Sequence, residues 1–468
     1  MKHSNKLTEG PIVKSLLSLA VPIVLANILQ TAYQLVDTFW VGRLGQNAVA
    51  AVSLSFPIIF LLMSIGGGLA IAGTILVAQY KGAGKHEKID YVSAQTILVM
   101  LLISLAISIF GFLAGRWILI LIGAGPQVLG EAASYLQITF LGMPFLFGYI
   151  VFQSLLRGIG EVKIPFFIVL GTVILNAILD PLFIMGYGPI QGYGVNGAAM
   201  ATVGTQGIAA LIGLFILIRG YCGIRLRARD FKPDFRLISR MFKLGFPASL
   251  EQSSRALGLT IMTALVASFG TLGVATYGIG TKILSLVFMI SIGMSMSTST
   301  LVGQNIGAGK KNRAIEIVKK SSVMTFAILT FCGIFIFMYA SILAAVFIPN
   351  EPETIASSAN FIKIIVFSFG FIGIQQVLNG ALRGAGNTVT PLILALISSW
   401  VLQFPIAFVL SKHMGMNGLW WSIPISNIIA LAITGLYVAN GKWTNTKFTH
   451  ERELEKEVTE ESIIEEGI

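Results

Sequence analysis

About twelve long apolar runs, each set off from the next by a short polar break, constrain this chain more than any single residue does. They lie at roughly 15–40, 50–80, 92–114, 132–155, 164–186, 195–219, 241–269, 274–303, 317–347, 356–381, 390–411 and 416–440. A spanning helix needs around 20 mostly apolar residues, and each run is long enough. Only 11% of the 468 residues are charged, 55% are hydrophobic and the mean hydropathy is +0.83. A soluble domain carries about 25% charged residues. Most runs are uniform rather than alternating, unlike the strands of an outer-membrane barrel. Only helices and closed barrels satisfy every backbone group in lipid, so the expected fold is an all-α polytopic membrane protein of twelve transmembrane helices.

The net charge of +11 follows topology rather than nucleic acid. With both termini cytoplasmic, the inside segments collect 26 of the 32 Lys and Arg residues, the asymmetry of the positive-inside rule. The densest group, RGYCGIRLRARDFKPDFRLISR at 219–240, reads as a cytoplasmic anchor. The amino-terminal segment 1–14 is polar without a cleavage pattern, so the first helix is expected to remain as a signal anchor. The charged tail, 441–468, holds eight of the 21 acids between Glu451 and Glu466 and is expected to be a solvated cytoplasmic end. Cys222 and Cys332 fall in different environments and imply no disulfide. His3, His86, His413 and His450 are scattered, with no metal spacing, so neither an enzyme nor a cofactor is expected.

An internal repeat organises the runs. LVAQYKGAGK at 76–85 answers LVGQNIGAGK at 301–310, and LLRGIGEVKIP at 155–165 answers ALRGAGNTVTP at 381–391, at an offset near 225 residues. Each unit contains six runs, an even number, so both enter the membrane from the same side as a parallel repeat. The expectation is an N-lobe (15–218) and a C-lobe (241–440) facing each other across a central cavity, joined by the basic linker 219–240. In RGIG and RGAG the glycines end helices, Arg157 and Arg383 can meet the last carbonyls, and Pro165 and Pro391 suit the next first turn. GAGK lacks the rest of a phosphate loop and recurs at equivalent loop positions, which favours structure over nucleotide binding.

Asp37, in ANILQTAYQLVDTFWVGRLG, lies between Lys14 and Arg43 as its nearest charged residues, and Asp180 lies in VILNAILDPLFIMGYG. An acid inside a membrane costs roughly 2.5–3.5 kcal/mol on insertion scales, which makes both functional candidates. Tyr33, Gln34 and Gln30 precede Asp37 by four, three and seven residues and share one broad face, which Asn27 extends. Asn176 sits one turn before Asp180. Pro22 offers a potential kink, and Gln153 is a polar cavity candidate among possible apolar lining residues such as Phe147, Tyr149, Met289, Met294 and Met296. Glu251 is one turn from Arg255, a spacing that suits an ion pair. The repeat places Asp37 opposite Met262, so the coupling chemistry is asymmetric between lobes.

QTAYQLVDTFWVGRLG at 30–45, the paired LVxQxxGAGK ends and the paired LRGxG…P loops resemble the MATE family of multidrug and toxic-compound extrusion transporters, over nearly the whole chain. Asp37 with Asn176 and Asp180 is similar to the DinF-type branch. The resemblance implies two bundles forming a V in a prokaryotic inner membrane. It also implies export of small organic compounds, often cationic, in exchange for Na⁺ or H⁺. It assigns coupling roles to Asp37, Asn176 and Asp180, with Thr202 as the nearest match to a threonine on the sixth helix. A monomer in contact with membrane lipid is expected. The tenth-helix acid of NorM-type members is missing: that stretch reads FIGIQQVLNG. Oxygen ligands suit both H⁺ and Na⁺, which can compete for one carboxylate, so the coupling ion stays open. The alternative is a lipid-linked oligosaccharide or lipid flippase of the same wider superfamily, which would call for a basic cavity.

Overall fold

The computed structural model describes residues 6–188 and 190–445; the acidic tail beyond lies outside the described residues. The main helices, numbered here in chain order, are α1 (Ile12–Gly42), α2 (Gln46–Gly82), α3 (His86–Ile122), α4 (Pro126–Leu141 and Met143–Ile159), α5 (Lys163–Met185) and α6 (Val195–Arg219). After the linker come α7 (Phe235–Ala267), α8 (Gly270–Gly307), α9 (Lys311–Met338), α10 (Pro352–Val366 and Phe369–Gly384), α11 (Val389–Met414) and α12 (Met416–Ala439). Among the described residues, nine of these are long and apolar enough to cross a membrane alone, and the two bent pairs, α4 and α10, bring the number to eleven. The element between them, α7, has 33 residues, but SLEQSSR dilutes its apolar character. It is the twelfth helix of a twelve-helix, two-lobe architecture.

The breaks have local causes. The two arms of α4 meet at Gly142 at 48°, and Pro144 occupies the first turn of the second arm. The arms of α10 meet at 49° around Phe367 and Ser368. Pro22 lies inside α1 without interrupting it, as does Pro181 in α5. A short hairpin, β1 (Gly186–Tyr187) with β2 (Ile190–Gln191), turns the chain from α5 into α6. Gly160 (φ +89°) and Gly386 (φ +91°) end α4 and α10 in the left-handed region, where a side chain would be strained.

Each lobe has its own core, with Phe147, Phe152 and Met100 in the first and Phe361, Phe369 and Trp420 in the second. A third cluster joins them. It runs from Leu16 and Leu19 at the start of α1 to Leu301 and Ile306 at the end of α8 and Leu382 at the end of α10. All of these belong to the end of the bundle that carries the linker, so the lobes are fused there. The linker is docked on α3. The Gln95 amide donates to the carbonyls of Asp230 and Lys232 at 2.7 Å each, and its oxygen accepts from the Asp234 backbone N–H at 3.1 Å. The Tyr91 hydroxyl donates to Asp234 at 2.9 Å, and Asp234 caps the start of α7. Between α3 and the linker lies a cavity of about 370 Å³, bordered by Tyr91, Arg227 and Arg240.

Candidate ion and substrate site

Four helices of the N-lobe converge on a polar cluster. Asn176 and Asp180 lie one turn apart on α5, fully buried, and the Asn176 amide donates to Asp180 Oδ1 at 2.9 Å. Asp37 projects from α1 close enough for its charge to act on Asp180. The Tyr33 hydroxyl, a turn before Asp37, shares a hydrogen bond with Thr205 Oγ1 of α6 at 3.0 Å and also meets Thr202. Tyr135 of α4 is buried beside both acids and Tyr33. Tyr135 and Thr205 are additions to the expected set. Thr205 follows Thr202 by one helical turn, a spacing that could have pointed to it; nothing in the sequence singles out Tyr135.

Buried acceptors without a donor occur elsewhere in the bundle, at Asn305, Gln375 and Asn379 among others, but here two of them belong to carboxylates. Asp37 Oδ1, Asp180 Oδ2 and Asn176 Oδ1 are all buried without a hydrogen-bond donor. A buried polar group without a partner costs several kcal/mol at the high end, and a buried charge costs more. Oxygens of this kind can accept from a bound proton or coordinate a small hard cation.

The C-lobe handles its one buried acid differently. Glu251, 1% exposed, receives Arg255 at 2.9 Å and Arg383 Nη2 at 2.5 Å, with Arg383 Nε at 3.2 Å. The i,i+4 partner is the expected one; Arg383 is not. Its repeat counterpart, Arg157, also leaves its own helix end and donates to Met296 Sδ of α8 at 2.7 Å. Neither arginine therefore caps the final carbonyls as anticipated. Backbone N–H groups do this instead: Gly160 donates to the Arg157 carbonyl at 2.9 Å and Glu161 to that of Leu156 at 2.8 Å, and Gly386 donates to the Arg383 carbonyl at 2.8 Å and Asn387 to that of Leu382 at 2.9 Å. Glu251 is neutralised twice over, whereas the N-lobe acids have no cationic partner among the described residues.

The repeated LVxQxxGAGK motif forms the seam between lobes. Gln79 of α2 donates to the Gly384 carbonyl of the other lobe at 3.1 Å, and Gln304 of α8 returns the bond to the Gly158 carbonyl at 2.9 Å. Gly82 and Gly307, three residues after each glutamine, let α2 and α8 cross backbone to backbone: a Cβ on Gly82 would collide with the Gln304 carbonyl, and one on Gly307 with that of Gln79. Farther along, Ser249 of α7 donates to the Ile65 carbonyl of α2 at 3.0 Å, and Thr31 of α1 meets Met289 of α8 at 3.8 Å. Beyond those contacts no side-chain hydrogen bond joins the lobes among the described residues, and Leu35, one turn past Thr31, and Leu286, one turn before Met289, are 63% and 52% exposed. The lobes are closed at the linker end and part toward the other.

The remaining expected residues fall in different places. Gln34 is exposed on α1, and Asn27 and Gln30 are half-buried below it. Tyr33 turns into the acid cluster, 6% exposed, rather than onto a lining stripe. Gln153 bonds Tyr149, whose hydroxyl lies 3.5 Å from the Pro165 carbonyl. Pro165 is 15 residues before Asp180 on α5, about 22 Å at a rise of 1.5 Å per residue. Gln153 is therefore remote from the acids. Phe147, Tyr149 and Met294 are core residues, whereas Met289 and Met296 make contacts between lobes.

Comparison with known proteins matches the MatE family model to residues 22–182 and 247–409, one segment in each lobe. A probable multidrug resistance protein, YpnP of Bacillus subtilis, is 31% identical over 447 residues, covering 95% of this chain and 99% of the relative. A FAD transporter of Shewanella oneidensis is 26% identical, covering 94% and 97%. Among solved structures, the outward-facing conformation of a multidrug resistance MATE transporter superposes with a TM-score of 0.88 at 23% identity, covering 94% of this chain and 98% of that one.

Proposed function

The chain belongs to the MATE family of transporters, and on that premise we propose that it exports amphipathic organic compounds, often cationic, by alternating access coupled to entry of H⁺ or Na⁺. The names of its relatives support the substrate class, ranging from multidrug resistance to a FAD transporter. One observation carries the coupling site: three buried acceptor oxygens on Asp37, Asn176 and Asp180 lack donors, while the C-lobe acid is satisfied by two arginines. The N-lobe cluster is where binding an ion changes the energy most.

The basic linker and the charge asymmetry of the loops support a cytoplasmic position for the sealed end. The gap then opens outward. In this state the acids are free to take up an ion from outside. Loading the cluster removes charge between α1, α5 and α6, lets α1 rearrange around Pro22, and displaces the substrate. Closure returns the ion inward. An ion moves such an equilibrium only through different affinity for the two states, and oxygens that lack donors in this one provide that difference. Tyr33 and Thr205 tie α1 to α6 beside the acids, so a shift of α1 is felt at the cluster.

The test is counterflow of a fluorescent organic cation in proteoliposomes, with Na⁺ and pH gradients imposed separately. One gradient should drive uptake in the wild type. Asp37→Asn and Asp180→Asn should insert and fold yet lose gradient-driven transport; full retention would refute the assignment.

A further inference from the structure

Lys282 of α8 is a membrane-embedded cation that nothing above uses. It is exposed, and among the described residues no carboxylate pairs with it. Its level in the bundle follows from the α7–α8 turn. Lys282 lies twelve residues after Gly270, and Arg255 lies twelve before Ala267. Both therefore sit about 18 Å below that turn. Arg255 is held by Glu251; Lys282 is not.

The direction in which Lys282 faces follows from its helix. Gly293 of α8 packs against Val24 of α1, and Met289, one turn earlier, meets Thr31 of α1. Lys282 precedes Met289 by seven residues. Seven residues fall about 20° short of two full turns, so Lys282 continues the stripe that faces α1, about 10 Å nearer the open end. On α1 the matching step from Thr31 reaches Thr38, with Gln34 and Leu35 between, and all three are exposed. The two helices have parted at this level, and Lys282 stands on the C-lobe wall of the gap.

The opposite wall does not neutralise it. Asp37 follows Thr31 by six residues. That turns it about 120° away from the α8-facing stripe, into the N-lobe. The groups that α1 presents to the gap, Gln34 and Thr38, are uncharged. A lysine facing lipid at this depth would lose hydration, whereas one facing a wet gap keeps it. Across from Lys282 the α1 wall thus offers only neutral hydrogen-bonding groups, which is complementary to a ligand that carries one negative group.

We propose that Lys282 binds the carboxylate of amphipathic substrates in the gap between the lobes, so that zwitterions are transported alongside simple cations. The proposal rests on the exporter reading above. It assigns substrate selection to the C-lobe wall and ion coupling to the N-lobe interior.

The test uses a matched pair of dyes, the zwitterion rhodamine B and its ethyl ester, which lacks the free carboxylate. Purified full-length protein in proteoliposomes should transport both. Lys282→Gln should raise KM for rhodamine B about tenfold while leaving KM for the ester within about twofold, and Lys282→Arg should restore rhodamine B. An equal effect on both dyes, no effect on rhodamine B, or wild-type transport of the ester alone would overturn the assignment to Lys282. If the wild type moved neither dye under either gradient, the exporter reading itself would fail.

Discussion

Removing the reciprocal glutamine bonds should open the linker end. Gln79 is 1% exposed and Gln304 4%, and their amides donate to Gly384 and Gly158 across the seam. Each such bond is worth about 1 kcal/mol net. When the lobes separate at this end, the amides and both glycine carbonyls become hydrated, so the substitutions leave the open form nearly untouched. The whole loss therefore falls on the sealed form. Gln79→Ala with Gln304→Ala should cost it about 2 kcal/mol, a factor of about 30 in the sealed-to-open ratio. The two sites are not independent, because Gly82 packs on the Gln304 carbonyl and Gly307 on that of Gln79. The double variant should thus depart from the sum of the singles. Spin labels at Glu87 and Asn312, exposed at the starts of α3 and α9, would report the opening as a longer population in double electron–electron resonance. A double variant with the wild-type distance distribution would refute the reasoning, and the seam would then be held by its apolar cluster alone.

Other outcomes follow from the remaining contacts. Glu251→Gln strands Arg255 and Arg383, both part-buried, and should destabilise the solubilised protein by about 3 kcal/mol. Asp37→Asn should leave the melting temperature nearly unchanged, so thermal unfolding of the two variants separates a structural acid from a coupling one. Gly82→Ala places a methyl group against the Gln304 carbonyl and should shift the label distances in the same direction as the glutamine variants. The Cys222 thiol, in the docked linker, is pushed up to about 11, first by burial and then by the charge on Glu161. In a Cys332→Ala background Cys222 should resist maleimide at pH 7 and react faster as pH approaches 11. Gln95→Ala, which removes the clasp on the linker, should accelerate labelling at pH 7.

Much of this was legible in the chain because it is local. Helix count follows from run length and the need to satisfy the backbone in lipid. The run at 241–269 belongs to that count as well, although SLEQSSR makes α7 less apolar than the helices that qualify alone. The Asn176–Asp180 and Glu251–Arg255 pairs are one turn apart, and a helix brings such residues together whatever surrounds it. Arg157 and Arg383 show where that reasoning stops. Both end a helix before a glycine, yet one reaches Met296 of α8 and the other Glu251 of α7, partners on neighbouring helices that no local spacing reveals.

The sequence by itself determined a polytopic helical protein with two like halves, and two acids costly enough to need a function. Only the tertiary structure decided that Tyr135 and Thr205 join those acids, and that Glu251 is neutralised by an arginine 132 residues away. It also decided that Gln79 and Gln304 bind across the lobes rather than within them. The physical reason is helix phase. Period and polarity say which residues share a face, but the rotation of each helix against its neighbours is set by where backbones can approach, at Gly82, Gly293 and Gly307. Those crossings turn Asp37 inward and Lys282 toward the gap.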